Sequence, residues 1–161
     1  MVRRVVLFLL FLMFSRVEHS GYAVGDRCYL GVILRINPLF GIENARLVLD
    51  ALRAAGVSDE DMPVHLAVMW QETHYRHNLI GDKGRSLGLY QIGLWEARTV
   101  DSGITREMLL EIEHNVRVGA VYLRRLIERY GLDRALKRYN GSWAYVEAVR
   151  KKIHKINKWL N

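Results

Sequence analysis

The sequence predicts a mostly α-helical fold with an irregular, glycine-rich loop region near its middle. In several segments, apolar residues recur at three- and four-residue steps, which places them on one face of a helix. Glycine, serine and proline stand at the ends of these segments, where helices commonly start and stop. No segment alternates apolar and polar residues for long enough to predict a half-buried sheet.

The first half of the chain contains two predicted helices and a loop. A helix is predicted over Glu43–Ala55, because Ala45, Val48, Leu49 and Leu52 lie on one face of it. Gly56 ends this helix, as glycine does after many helices. A second helix is expected from Pro63 to about Thr73, because proline suits a first helical turn. Between His74 and Gly93 the many glycine and polar residues predict a structured loop with short helical pieces.

The second half has the strongest helical signals. Thr105 is the expected N-cap of the segment that follows it. The longest predicted helix runs from about Glu113 to Tyr130, and Gly131 ends it. A short helix over Asp133–Arg138 precedes a last helix, which Ser142 is expected to cap.

The composition is basic, with 24 Lys and Arg against 17 Asp and Glu and a formal net charge of +7. A basic surface suits an anionic polymer. Part of this charge forms the outer face of the last helix, where a solvated surface is favoured over a specific binding patch. The residues of this basic face are Arg150, Lys151, Lys152, Lys155 and Lys158.

The first 23 residues are typical of a secretory signal. Arg3 and Arg4 precede an apolar run of ten residues, which is too short to span a bilayer comfortably. Small residues near Ala23 predict cleavage after it, leaving a single domain, 24–161, with a charge of +5. An uncleaved anchor and a buried core helix are the alternatives. The expected location is therefore the periplasm or cell envelope.

The sequence gives little basis for a metal site. A single cysteine, Cys28, excludes an intramolecular disulfide and a Cys-rich zinc site, and we expect it to be a small core residue. His65, His74 and His77 lie close in sequence, but their order is not His-Glu-x-x-His. We expect no metal and no cofactor.

Glu72 is the main candidate for a catalytic residue. Met69, Val68 and His65 precede it by three, four and seven positions, so its side of the helix is largely apolar. It also lies near a helix C-terminus, where the backbone dipole disfavours negative charge. Both effects raise the pKa of a carboxyl group, and a carboxyl protonated near neutral pH suits a general acid. A purely structural glutamate is the alternative.

Three separated motifs include or follow Glu72. The first is Gln-Glu-Thr at residues 71–73, and the second is Gly-Leu-Tyr-Gln at residues 88–91. The third is Ala-Leu-x-x-Tyr-Asn at residues 135–140, followed directly by a glycine. Between the second and third, Asn115 and Gly119 precede a Tyr-Leu pair. Together, in this order, these motifs resemble the soluble lytic transglycosylase family, which is related to goose-type lysozyme.

The chain departs from the family pattern at three points. Thr73 replaces the usual serine, Tyr90 replaces the usual methionine, and Gly141 comes one residue early. The resemblance covers roughly Pro63–Lys152, over half the chain. It implies an all-α, lysozyme-like domain whose glycine-rich loop lines a substrate cleft.

The resemblance also implies a mechanism. Glu72 would protonate the oxygen that joins N-acetylmuramic acid (MurNAc) to N-acetylglucosamine (GlcNAc) in peptidoglycan, and the acetamido group of the substrate would stabilise positive charge at C1. The Glu72 carboxylate would then take the proton of the muramoyl C6 hydroxyl, which attacks C1. The product is a 1,6-anhydromuramoyl end, formed without water. A single essential acid differs from the two carboxylates of most glycosidases.

The same resemblance assigns supporting roles. Tyr139 would hydrogen-bond to Glu72 and orient it. The residues expected to bind the substrate are Ser86, Gln91, Tyr90, Asn140 and Gly88.

Each of these residues also has a structural interpretation. Tyr139 is a candidate core aromatic and Gln91 a candidate brace of the loop, while Asn115 and Gly119 are expected to pack and tether the loop. Five other aromatic residues are candidates for stacking on sugars, and at least half of them are expected in the core. They are Tyr75, Tyr90, Trp95, Trp143 and Tyr145.

Other functions stay open. A hydrolytic lysozyme would need a second carboxylate, for which Asp82 is the best candidate and Asp101 the next. A non-catalytic wall-binding or assembly protein and a membrane-lytic protein are further alternatives. The expected partners are peptidoglycan strands and a secretion, conjugation, pilus or phage assembly, not nucleic acid, and we expect a monomer.

Overall fold

A computed structural model describes residues 24–161 and confirms the mostly α-helical fold. The predicted signal segment, 1–23, lies outside the described residues. Helix α1 spans Val24–Ile36, and a short 3-10 turn separates it from α2, Ile42–Ala54. Helix α3 spans Met62–Thr73, with Pro63 in its first turn as predicted.

The loop after α3 contains a small antiparallel sheet. Its strands are β1 (Ile80–Gly81), β2 (Ser86–Leu87) and β3 (Ile92–Gly93), with β2 in the centre. Each strand has only two residues, so no alternating pattern was available in the sequence to predict them.

Four helices follow the loop, and they are α4 (Leu94–Arg98), α5 (Ile112–Tyr130), α6 (Leu132–Asn140) and α7 (Trp143–Leu160). The last three follow the prediction closely, whereas α4 has no counterpart among the predicted helices. The Ser142 Oγ accepts a hydrogen bond from the Ala144 amide at 3.2 Å, which confirms the predicted cap of the last helix. The Thr105 Oγ1 accepts a hydrogen bond from the Met108 amide at 3.3 Å. The predicted N-cap role of Thr105 is not confirmed, because only a 3-10 turn follows it, over Met108–Leu110, and Glu107 is in the N-cap position of this turn.

Helix α3 is the central element of the core. Its residues Leu66, Ala67, Val68 and Met69 are fully buried. It packs against α7, while α2 packs against α5. The C-terminal end of α3 therefore brings Glu72 from the interior toward the surface.

Two features near the start of the described region differ from the prediction. Helix α1 has no counterpart among the predicted helices, and Cys28 within it is exposed rather than part of the core. Gly25 and Gly31 lie in this helix, and glycine lowers helical propensity. None of the described helices is both long and apolar enough to cross a bilayer.

Candidate active site

The Glu72 side chain lies in a largely buried position at the C-terminal end of α3. Burial raises the pKa of its carboxyl to about 7; the neighbouring Tyr145 hydroxyl opposes this rise and the Asp82 charge adds to it. A carboxyl with this pKa is substantially protonated at neutral pH and can also exist as a carboxylate. The group can therefore both donate and accept a proton.

Tyr145, in the first turn of α7, is a neighbour of Glu72 that lies outside the three motifs. Its hydroxyl is buried and has no hydrogen bond of ordinary geometry within the described region. It lies close enough to Glu72 to lower the pKa of that carboxyl, while burial and the Glu72 charge raise the pKa of the Tyr145 hydroxyl. Catalytic hydrogen bonds are often long without substrate and tighten when it binds.

A sequence signal for Tyr145 did exist. Tyr145 precedes Val149 by four residues on the apolar face of α7, and this spacing predicts that its ring is buried. A buried tyrosine hydroxyl usually has a polar partner, and α7 packs against α3.

The predicted hydrogen bond from Tyr139 to Glu72 is wrong. The Tyr139 hydroxyl instead donates to the backbone carbonyl of Tyr90 at 2.5 Å, and a phenol has only one proton to donate. Burial raises the pKa of the Tyr139 hydroxyl, and Tyr145 and Glu72 raise it further. Tyr139 is therefore near the acid but holds the loop that faces it.

The prediction that Tyr90 binds substrate is also corrected, because its side chain is fully buried. Its hydroxyl lies 2.7 Å from the Nδ1 atom of His65, which is buried as well. Burial lowers the pKa of His65 to about 4, so its imidazole is neutral. His65 is therefore a polar partner for the hydroxyl of Tyr90, the residue that this chain has where the family usually has methionine.

Asn115 ties the loop to α5. Its Nδ2 donates to the carbonyls of Leu87 and Leu109, each at 2.8 Å, and its Oδ1 accepts from the Tyr90 amide at 2.9 Å. The side chain is buried, so these three bonds satisfy every group involved without water. This confirms the expectation that Asn115 tethers the loop.

Two glycines make this tether possible. A Cβ at Gly119 would lie 2.3 Å from the Tyr90 ring, and a Cβ at Gly88 would lie 2.3 Å from Asn115 Nδ2. Gly88 also has φ of +67°, which glycine adopts without strain. Gly88 is buried and its close neighbour is Asn115, so the structure does not support the prediction that Gly88 binds the substrate.

Gln91 and Ser86 make internal contacts in this structure. The Gln91 Nε2 donates to the carbonyls of Leu79 and Gly88, each at 2.9 Å, which is the loop-bracing role. The Ser86 Oγ donates to Asp82 Oδ2 at 2.7 Å. Both side chains are only half-buried, and their binding of the sugar stays a prediction.

The remaining candidates for contact with the substrate differ in their exposure to solvent. Asn140 is exposed at the end of α6, and its contact with substrate stays a prediction. Trp95 and Trp143 are exposed, whereas Tyr75 is buried like Tyr90 and Tyr145. Three of the five aromatic candidates are therefore core residues, as expected.

Backbone strain is concentrated in the loop that surrounds the site. Within the described region, all five non-glycine residues with positive φ lie between positions 74 and 91. Such residues cost about 1 kcal/mol or more each and cluster at functional sites. They are His74, Tyr75, Asp82, Lys83 and Gln91.

Two further observations delimit the site. No three His, Cys, Asp or Glu side chains are grouped in residues 24–161 so that they could hold a metal ion. A groove of about 440 Å³ lies between the turn after α1 and the 74–80 loop, but Glu72 is not among its lining residues. This groove is therefore separate from the position of the Glu72 carboxyl.

The fold and the site are those of a helical protein in which a largely buried glutamic acid lies at a helix end, beside a tyrosine and a tethered, glycine-rich loop. The sequence matches the Transglycosylase SLT domain family over residues 52–160. The chain belongs to this family, which confirms the resemblance found in the motifs. No curated protein and no solved structure matches the chain. The family acts on peptidoglycan, and its domains are typically extracellular or periplasmic.

Proposed function

We propose that this protein is an exported lytic transglycosylase that cleaves the MurNAc-(β-1,4)-GlcNAc bond without water, with Glu72 as acid and then base. The observation that supports this most is the pKa of Glu72, which burial raises to about 7. One carboxyl group with this pKa can serve both proton transfers near neutral pH.

In the first step, the protonated Glu72 gives its proton to the bridging oxygen as the bond from that oxygen to C1 breaks. The acetamido group of the same muramoyl residue stabilises the positive charge at C1. In the second step, the Glu72 carboxylate takes the C6 hydroxyl proton while the C6 oxygen bonds to C1. Glu72 ends protonated, and the strand ends in 1,6-anhydroMurNAc.

The neighbours of Glu72 have separate roles in this scheme. The Tyr145 hydroxyl lowers the pKa of the carboxyl and so stabilises the carboxylate that exists between the two steps. Tyr139 holds the Tyr90 carbonyl and so positions the loop. Tyr139 is therefore a positioning residue, and the carboxylate is stabilised by Tyr145.

Analysis of the products tests the proposal. Mass spectrometry of peptidoglycan digested by the wild-type protein should find 1,6-anhydroMurNAc ends, which are one water lighter than reducing ends. Reducing ends alone would contradict the transglycosylase proposal.

A hydrolytic lysozyme is the second candidate, and one observation favours it. The charge of Asp82 raises the pKa of Glu72, so this carboxylate lies near the proposed acid. Inverting glycosidases use such a second carboxylate to activate water. Asp82 is exposed and accepts the hydrogen bond of Ser86.

The pH dependence of kcat/KM should separate the two roles of Asp82. Asp82→Asn removes a charge that raises the pKa of Glu72, so the alkaline limb of the profile should move to lower pH. Tyr145→Phe removes a hydroxyl that lowers this pKa, so the same limb should move to higher pH. The alkaline limb reports the acid in the free enzyme.

Asp82→Asn is a conservative variant, because asparagine tolerates the positive φ of 47° at this position and keeps an oxygen that can accept from Ser86. A shifted limb with activity largely retained fits the transglycosylase proposal. Loss of activity by about 100-fold or more at every pH would instead identify Asp82 as the base of a hydrolase.

A further inference from the structure

Three cations and two tryptophans form a cluster where α1, α3 and α7 meet. Its members, named here the cation–tryptophan patch, are Arg35, Trp70, Lys152, Lys155 and Trp159. Lys152, Lys155 and Trp159 lie on one face of α7, at steps of three and four residues.

The tryptophan rings hold the cations in place. Trp70 and Trp159 are stacked, with ring centroids 5.5 Å apart. The Lys155 Nζ lies 5.4 Å from the Trp70 centroid and 5.3 Å from the Trp159 centroid. The Lys152 Nζ is 5.2 Å from Trp70, and the Arg35 guanidinium is 4.5 Å from Trp159. These distances are within the range of cation–π contacts.

No carboxylate among residues 24–161 forms an ion pair with these three cations. Burial lowers the pKa of Lys152, and the charge of Lys155 lowers it further. By contrast, Arg150 on the same helix makes two 2.8 Å hydrogen bonds with Asp133. Like charges held together without an anion repel one another, and a bound anion would relieve that repulsion.

The patch borders the proposed catalytic residue. The Lys152 Nζ donates to Gln71 Oε1 at 2.7 Å, and Gln71 directly precedes Glu72. Burial lowers the pKa of His74, and the charges of Lys152 and Arg76 lower it further. The positive potential of the patch therefore extends to the end of α3.

We propose that the cation–tryptophan patch binds the carboxylates of the peptide stems that peptidoglycan carries. This inference rests on the proposed function, because each stem is attached to the muramoyl residue whose C1 reacts. When the MurNAc-(β-1,4)-GlcNAc bond lies at Glu72, the attached stem therefore brings its carboxylate close to the same residue. A membrane is the weaker candidate, since both tryptophans are half-buried and the cations cover their rings.

The test compares kcat/KM on glycan strands that keep their stems with kcat/KM on strands stripped of stems by an amidase. The wild-type protein should prefer the stem-bearing strands. In the double variant K152Q/K155Q this ratio should fall about fivefold, as expected from the loss of two partly exposed ion pairs. The matched control is K151Q/K158Q, which removes the same charge from exposed positions of the same helix and should keep the wild-type ratio.

Three results would overturn the inference: no preference in the wild-type protein, an unchanged ratio in K152Q/K155Q, or an equal fall in the control. Binding of anionic phospholipid vesicles that K152Q/K155Q loses while its ratio stays unchanged would assign the patch to a membrane instead. Failure of the proposed function has a different signature, since no anhydro ends would then form from either substrate.

Discussion

The Glu72→Gln variant is expected to lose at least about 10³-fold in kcat/KM on peptidoglycan. Glutamine has nearly the same shape as glutamic acid but cannot donate the first proton or accept the second. The proposed reaction has no other group for either transfer. Release of anhydro ends by the purified variant measures the loss, and clearing of the wall at the wild-type rate would contradict the role of Glu72.

The same variant should be more stable than the wild type above neutral pH. Because folding raises the pKa of Glu72 from 4.5 to about 7, the folded protein retains a proton that the unfolded chain releases between these values. The free energy of unfolding therefore falls as the pH rises through this window. Glutamine removes that loss, which is at most about 3 kcal/mol.

Denaturant unfolding at pH 5 and at pH 8 measures this effect. The gain from Glu72→Gln should be larger at pH 8 than at pH 5. Glu60→Gln is the matched control, since Glu60 is an exposed glutamate, and its effect should be the same at both pH values. An equal gain from Glu72→Gln at both values would show that Glu72 is already ionised in the folded protein at pH 5.

The second large effect is expected from Asn115→Asp. A carboxylate cannot donate to the carbonyls of Leu87 and Leu109, which would then be buried without a partner and would face a negative charge. Each unmade bond costs about 1–3 kcal/mol, so the free energy of unfolding should fall by about 3–5 kcal/mol. The Tyr90 amide keeps its acceptor, but the loop loses its anchor on α5.

Asn44→Asp provides the control for this substitution. The Asn44 Nδ2 makes one hydrogen bond, to the Phe40 carbonyl, at a half-exposed position, so the loss there should stay below about 1 kcal/mol. Chemical denaturation of both variants at one pH compares them. A similar small loss at both positions would contradict the tethering role of Asn115.

Much of the helical architecture was predictable because its signals are local. Pro63, Gly131 and Ser142 mark helix ends through their own backbone preferences and side-chain oxygen, and the structure confirms all three positions. Helix α1 was missed, since it contains two glycines and its stability comes from packing against α2 and α7.

Part of the site was predictable from the sequence. The burial that raises the pKa of Glu72 follows from the apolar face of α3, and the place of Asn115 among the motifs led to the expectation that it tethers the loop. The contact of Glu72 with Tyr145 depends on the packing of α7 against α3, which sequence spacing does not reveal. The Tyr139 bond was assigned to the wrong partner for the same reason, since its acceptor is a backbone carbonyl on a strained loop.

A direct titration of Glu72 tests the central claim that this carboxyl keeps its proton near neutral pH. NMR of protein labelled with ¹³C at the glutamate carboxyls would follow each resonance with pH, and the Glu72→Gln variant would identify the signal of Glu72 by its absence. We predict a midpoint at about pH 7. A midpoint near 4.5, the ordinary value for a glutamate, would contradict the account.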